Sequence, residues 1–337
     1  MEIKYRYIVG CHIMFYEIDM ITEYIDSLVQ WDYITNKENI TIDLFYNMSQ
    51  YFEKMDTDKV KKHEFLIRFK RQVARLESLG FLVEYEVYDD DETPYTMSDY
   101  RRDLNYKSVN SLKYDYTIWG ESDCLLPKEM LPTLDHIMDN SPVPRYIVTF
   151  AIRKMWDDSW RVLEHPEFTD KPYYDMDTEE DKKKAESSPW SIRYTMSQRE
   201  MDEVNSKTKE LDVKMINYPK FDGSGLVISS DLLRTGANIP PAVYMNGDDS
   251  SFLESCRLHM GDRYAQFVIN NILKVHNRNH PKKRRYIQGE DDKLNTHFKR
   301  ATKNWYKEFN NVSKGNLNKL YRSQEPFAKK QYKEESK

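Results

Sequence analysis

No apolar run in the chain approaches the roughly 18 residues that a membrane-crossing helix needs. The first residues, MEIKYRYIVGCHIMFYEID, show no h-region and no small-residue cleavage site, so they do not read as a signal peptide. Cysteine is scarce. Cys11, Cys124 and Cys256 are odd in number and far apart, which argues against a disulfide framework or a cysteine metal cluster and predicts a reducing, cytoplasmic setting. The Asn-x-Ser/Thr triplets at Asn39, Asn47 and Asn311 are then chance matches. Glycine is low, at 10 of 337 residues. The turn Gly10-Cys11-His12-Ile13 after the first predicted strand forms no Gly-rich, Lys- or Arg-bearing loop, which weighs against a nucleotidyltransferase.

Against these absences stand 39% hydrophobic and 13% aromatic residues, enough for a packed core in one large α/β domain with additions or in two domains. The 25 tyrosines suggest wide, partly polar binding surfaces. Charge is unevenly spread. From Lys274 onward there are 18 Lys and Arg against 7 Asp and Glu, a balance of +11, so the whole-chain −5 leaves −16 on the first 273 residues. A basic segment on an acidic body fits an anionic partner such as nucleic acid or a membrane surface, and fits a solvated helical tail equally well.

Hydrophobic periodicity predicts strands at 5–9, 40–46, 81–88, 114–118 and 146–152, with helices at 60–79 and 100–109 and another carrying Ile18, Ile21, Ile25 and Leu28. Gly80 is a predicted helix cap. This β-α-β-α-β-α-β order argues for a parallel sheet with crossover helices. A further helix is predicted at 125–138. Residues 155–220, with Trp156, Trp160, Tyr173, Tyr174, Trp190 and Tyr194 and a charged run at 175–186, read as an excursion from the sheet that covers or flanks a site. Ser197 and Glu200 form a capping box for a helix reaching about 213. After Asp222-Gly-Ser-Gly come a strand at 226–229, a helix at 252–260 closed by Gly261, and an apolar segment at 264–275 ending at His276. A helix is expected at 293–309.

The central stretch is YDYTIWGESDCLLP, residues 114–127. A buried strand ends at Trp119-Gly120, and Glu121 and Asp123 follow two residues apart. Acids at i and i+2, leaving the carboxyl end of a strand, can share one hard divalent cation, and ligands bind at that edge of open α/β sheets. A strand followed by a solvated turn gives the same pattern.

Taken together, these residues resemble a GT-A-fold glycosyltransferase, closest in layout to the large family-two group and similar to glycosyltransferases of tailed phages. The resemblance covers roughly residues 5–155 and 221–280. Tyr16-Glu17 stands for the family's Asn-Glu, Asn47-Met48-Ser49 for its Asp-x-Ser, Arg102-Asp103-Leu104-Asn105 for its Ala-Arg-Asn, and Glu121-Ser122-Asp123 for its Asp-x-Asp. Gly247-Asp248-Asp249, with Phe252, Arg257, Gly261 and His276 downstream, resembles its Gly-Glu-Asp segment. What the resemblance implies is a GT-A domain over 1–280, with a mostly parallel Rossmann-like sheet and the aromatic insertion at 155–220, and a basic helical extension over 281–337. It implies a nucleotide-diphospho-sugar donor, UDP-linked by preference, and Mn2+ or Mg2+ held by Asp123, Glu121 and His276, with His280 a nearby competitor. It implies Asp249 as general base with Asp248 orienting the acceptor or the loop. Glu17 and Asn47 would sit near the nucleotide base, and Arg102 and Arg257 near the diphosphate or the acid loop. A base on the acceptor side, with no covalent intermediate, implies an inverting hexosyl- or pentosyltransferase. Asp249 reads equally as a helix N-cap, and His276 as an ordinary helix-end histidine.

The acceptor is less constrained. The basic tail could track a phosphate backbone and the aromatics of the insertion could stack on bases, which permits a hydroxymethylated base in phage DNA, in a host cytoplasm. A glycan, lipid-linked or protein acceptor is the alternative. A non-catalytic nucleic-acid-binding protein and a metal-dependent nuclease are rival readings, and the first leaves both acid motifs unexplained.

Overall fold

A computed structural model describes residues 1–51, 53–55, 61–155, 157–171, 195–218, 220–243, 247–277, 298–300 and 311–313, with isolated positions at 179, 180, 183, 315, 316 and 319. Trp156, Tyr173, Tyr174, Trp190, Tyr194 and His280 lie outside the described residues, as does most of the basic tail.

The chain opens with β1 (Tyr7–Met14), α1 (Ile21–Val29), β2 (Ile40–Asn47), β3 (Glu53–Met55), α2 (Lys62–Ser78), β4 (Leu82–Tyr88), α3 (Met97–Ser111) and β5 (Tyr116–Glu121). It continues with β6 (Cys124–Leu125), α4 (Met130–Asn140), β7 (Tyr146–Ala151), α5 (Gln198–Asn205), β8 (Val213–Ile216), β9 (Leu226–Ser229), α6 (Ser230–Leu233), α7 (Asp248–Met260), β10 (Ala265–Leu273), β11 (Val275–His276) and β12 (Phe298–Arg300). Eight strands form one sheet in the order β4-β2-β1-β5-β9-β7-β10-β8. It is mostly parallel. β9 runs antiparallel to both β5 and β7, and β8 antiparallel to β10.

The period-2 rule of strands explains how the sheet is covered. On β1, Tyr7, Val9, Cys11 and Ile13 enter one apolar cluster while Ile8 enters the other, and β7 splits Tyr146, Val148 and Phe150 from Ile147 in the same way. The first cluster takes the buried stripes of α1, α2 and α4. The second takes Tyr100 and Leu104 of α3, Leu232 and Leu233 of α6, and Phe252 of α7. Helices therefore pack on both faces, which is why β1, β2 and β5 read as continuous apolar runs. Gly80, the residue after the C-cap Leu79, closes α2 in the left-handed conformation at φ +86°.

Several tyrosines expected on binding surfaces are core residues. Tyr7, Tyr24, Tyr46, Tyr116 and Tyr146 are fully or almost fully buried. Tyr116 and Tyr146 share a hydroxyl–hydroxyl bond of 2.8 Å, and Tyr7 donates to Asp135 at 2.5 Å. Buried hydroxyls with partners carry no desolvation debt.

Other boundaries move. The helix expected at 125–138 starts at Met130, because residues 124–125 pair as β6 with β11. The capping box of Ser197 and Glu200 is present, but α5 stops at Asn205. The excursion is not wholly off the sheet, since β8 returns as an edge strand beside β10. Within the helix expected at 293–309, Phe298–Arg300 pairs antiparallel with β3. Among the described residues, no helix is long and apolar enough to cross a membrane.

Candidate active site

β1 is followed in space by β2 on one side and β5 on the other, so the strand order reverses between β1 and β5. The carboxyl ends of strands at such a reversal form a crevice. Glu121 is the last residue of β5 and sits in register with His12 of β1. Asp123 follows, and β6 then pairs antiparallel with β11, placing His276 opposite Cys124. Asn277 donates its backbone N–H to the Asp123 carbonyl at 2.8 Å, and its side chain is bonded both ways to the Met196 backbone at 2.9 Å. This ladder brings a histidine about 150 residues away in sequence onto the acid pair.

Glu121, Asp123 and His276 each offer a ligand atom, and all three atoms lie within 4.8 Å of one another. His276 Nε2 is 3.1 Å from Glu121 Oε2 and 3.6 Å from Asp123 Oδ1. An octahedral ion with bonds of about 2.1 Å sets neighbouring ligand atoms about 3 Å apart. Two carboxylates with one imidazole suit Mn2+ or Mg2+, with the nitrogen favouring Mn2+. The donor set therefore fits a divalent cation.

The electrostatics fit as well. Burial pushes Glu121 up, but His276 and Arg101 outweigh it and hold the carboxyl well below the usual carboxylate range. Burial pulls His276 down, yet Asp222, Asp123 and Glu121 raise it to about 9. The acids thus hold a positive charge at this point even when that charge is only a proton.

A second feature joins this trio to the other acid motif. Arg101, on α3, is buried and donates to Glu121 Oε1 at 2.5 Å, to Asp248 Oδ2, and to the Gly223 carbonyl at 3.2 Å. Its guanidinium carbon lies 4.8 Å from the centre of the Trp119 ring. Asp248 and Asp249 open α7, with Gly247 before them at φ +85°. Asp249 accepts from the Ser250 N–H at 2.6 Å. Burial and the neighbouring Asp248 raise its carboxyl to about 6. A Cβ on Gly223 would stand 2.8 Å from Arg101 Nη1 and 3.3 Å from Asp249 Cβ, so the turn carrying Gly223 touches both motifs.

The remaining predicted residues divide. Glu17 is buried just beyond the carboxyl end of β1 and accepts from the Met14 N–H at 3.0 Å. Asn47 ends β2 and spends its amide on the Tyr95 carbonyl at 2.9 Å and the Ser49 N–H at 3.0 Å. Arg102 points the other way along α3, bonding the carbonyls of Ile239, Pro240 and Val243 at 2.9–3.2 Å. It braces that loop, and the neighbouring Arg101 stands where Arg102 was expected. Arg257 is exposed on α7 and pairs with Glu254 at 2.8 Å, outside the group that Arg101 joins.

Sequence reasoning also passed over Asp222, Lys274 and His12. Asp222 Oδ2 is 3.0 Å from His276 Nδ1 and 3.6 Å from Lys274 Nζ. His12 stacks on Phe45 with ring centres 5.5 Å apart, and burial with the nearby Arg101 lowers it to about 3, so it is neutral. An acid in Asp-Gly-Ser-Gly and a lone lysine before Val-His were the signals available.

Neither protein-family models nor curated proteins give a match to this sequence. Similar solved structures include S. aureus TarS 1–349 in complex with UDP-GlcNAc, with a TM-score of 0.46 and 11% identity, over 80% of this chain and 58% of that one. They also include GalNAc-T7 with UDP, GalNAc and Mn2+, with a TM-score of 0.46 and 10% identity, over 81% of this chain and 44% of that one. The chain spans less than two thirds of the length of either.

Proposed function

We propose that the chain is a metal-dependent glycosyltransferase of the GT-A type, moving a sugar from a nucleotide-diphospho-sugar, UDP-linked by preference, to an acceptor hydroxyl. The observation that carries this reading is the Glu121, Asp123 and His276 cluster at the carboxyl end of the central strand. A divalent ion held there by Glu121, Asp123 and His276 would supply Lewis-acid neutralisation of charge on a departing diphosphate. Arg101 fixes Glu121 relative to Asp248, so the two acid motifs keep one geometry. Asp249, raised to about 6, is ionised at neutral pH yet basic enough to accept the proton of an attacking hydroxyl. Asp249 acting directly on the acceptor hydroxyl, in a single displacement, gives inversion. Glu17 and Asn47, at the ends of β1 and β2, border the place for the nucleotide base.

The first acceptor to test is hydroxymethylated DNA, on the strength of the +11 carried from Lys274 onward. Glycan, lipid-linked and protein hydroxyls follow.

Calorimetry with a panel of nucleotides and nucleotide sugars, with and without Mn2+, tests the donor half. The expected result is Mn2+-dependent binding of one nucleoside diphosphate, lost in Asp123→Ala. Absence of any nucleotide binding by the wild type would refute the reading.

A further inference from the structure

Lys274 and Asp222 are among the most deeply buried charged side chains of the described residues, at 0% and 1% exposure, and neither belongs to the acid motifs. A carboxylate taken that far out of water needs a cation and hydrogen bonds around it. Lys274 Nζ lies 3.6 Å from Asp222 Oδ2 and also donates to the Ser224 carbonyl. Asp222 Oδ2 also meets His276 Nδ1, at 3.0 Å.

The supporting backbone is equally specific. Asp222 begins a turn that reaches Gly225 at φ +64°, a conformation glycine adopts without strain. A Cβ there would meet Leu126 Cδ2 at 3.1 Å and Lys274 Cδ at 3.2 Å. The Gly225 N–H donates to the Trp119 carbonyl at 2.7 Å, so the turn is seated on β5, two residues before Glu121. Lys274 lies between β10 and β11, two residues before His276. The Asp222–Lys274 pair is therefore tied to both strands that supply the candidate ligands.

An imidazole presents one nitrogen to a metal, and the bond made by its other nitrogen decides which. Here Nε2 faces Glu121 and Asp123 while Nδ1 faces Asp222.

We propose that Asp222, compensated by Lys274, is a positioning residue that accepts the Nδ1 proton of His276 and so fixes the ring with Nε2 turned into the Glu121–Asp123 pair. This rests on the metal reading above and adds residues to it.

The test uses the full chain and Mn2+ with UDP, with affinity read by calorimetry or by electron paramagnetic resonance of free Mn2+. Asp222→Asn is expected to bind Mn2+ about 10–100-fold more weakly than wild type, the usual effect of losing such a partner. Equal affinity in Asp222→Asn, with binding still lost in Asp123→Ala, would overturn the positioning role and leave the metal site standing. No Mn2+ binding by the wild type would overturn both. Removing a buried charge can cost the fold, so a wild-type measurement stands beside the variant. In the Mg2+-loaded wild type, 15N correlation spectra of the His276 ring are expected to show the proton on Nδ1. A proton on Nε2 would overturn the inference whatever Asp222→Asn does.

Discussion

Arg101→Met removes the guanidinium that bridges Glu121 and Asp248, and the structure sets the size of the effect. Arg101 is 4% exposed, and its partners Glu121 and Asp248 are 12% and 13% exposed. Breaking a buried ion pair costs about 3–5 kcal/mol, chiefly because the orphaned charge stays out of water. His276 still faces Glu121, which softens the loss on that side. Contact with the Trp119 face adds about 0.5–2 kcal/mol. We therefore expect a loss of about 4 kcal/mol in the metal-free protein, or about 8–16 °C in the thermal midpoint at the roughly 2–4 °C per kcal/mol typical of a chain somewhat shorter than this. Saturating Mn2+ supplies charge beside Glu121, so the gap from wild type should narrow when the ion is present. Arg102→Met is the control. It loses bonds to three carbonyls and to Asp99, none of them to Glu121, Asp123 or Asp248, so its gap should not respond to Mn2+. Circular dichroism melts of the three proteins, each with and without Mn2+, decide the matter. A loss below about 1 kcal/mol for Arg101→Met, or an Mn2+ response shared equally by Arg102→Met, would refute the coupling.

Four further outcomes follow from the same geometry. Asp249→Asn should lower turnover by about 10²–10⁴-fold, and wild-type turnover should rise with pH through about 6 as Asp249 loses its proton; a flat profile from pH 5 to 8 counts against it as the base. Because the folded carboxyl is raised, its stabilising effect is present below about 3.9 and lost as pH rises through about 6, so Asp249→Asn should be more stable than wild type at pH 8 and no more stable at pH 3.5 in urea titrations. His276, held up to about 9 without metal, must shed a proton for Nε2 to take a cation; calorimetry in buffers of different ionisation enthalpy should show about one proton released per Mn2+ at pH 7.5. Gly223→Ala places a methyl 2.8 Å from Arg101 Nη1 and 3.3 Å from Asp249 Cβ, and should cost about 1–3 kcal/mol of stability while cutting turnover at saturating donor about 10²-fold.

The parts legible in the sequence are those written locally. Periodicity placed the alternation through β5, and the acids at 121 and 123 fall at the end of a strand; the helix expected at 252–260 starts four residues earlier, at Asp248, so Asp249 lies in its first turn and Gly247, not Asp249, is the N-cap. What was not legible depends on direction. Arg101 and Arg102 are adjacent on α3, about 100° apart around the helix axis. Both are buried, so no exposed face distinguishes the residue aimed at the acids from the one aimed at the 239–243 loop. The antiparallel sense of β9 has no local signature, since four apolar residues read the same either way. Asp222 looks like any turn acid until His276 is brought beside it by a strand pair. Arg257 was expected near the acids because it follows them on α7, yet nine residues later the helix has turned it outward.

The β6–β11 ladder bears on the order in which the protein is made. Glu121 and Asp123 are synthesised about 150 residues before His276, and that ladder is among the most non-local contacts in the molecule. Such contacts form late, after their loop entropy has been met by the rest of the sheet. A growing chain can thus assemble β1, β2, β4 and β5 with their helices while the third candidate ligand is still absent. Tight binding of a divalent cation would then mark completed molecules, and a nascent or partly folded chain in the same cell would compete poorly for scarce metal.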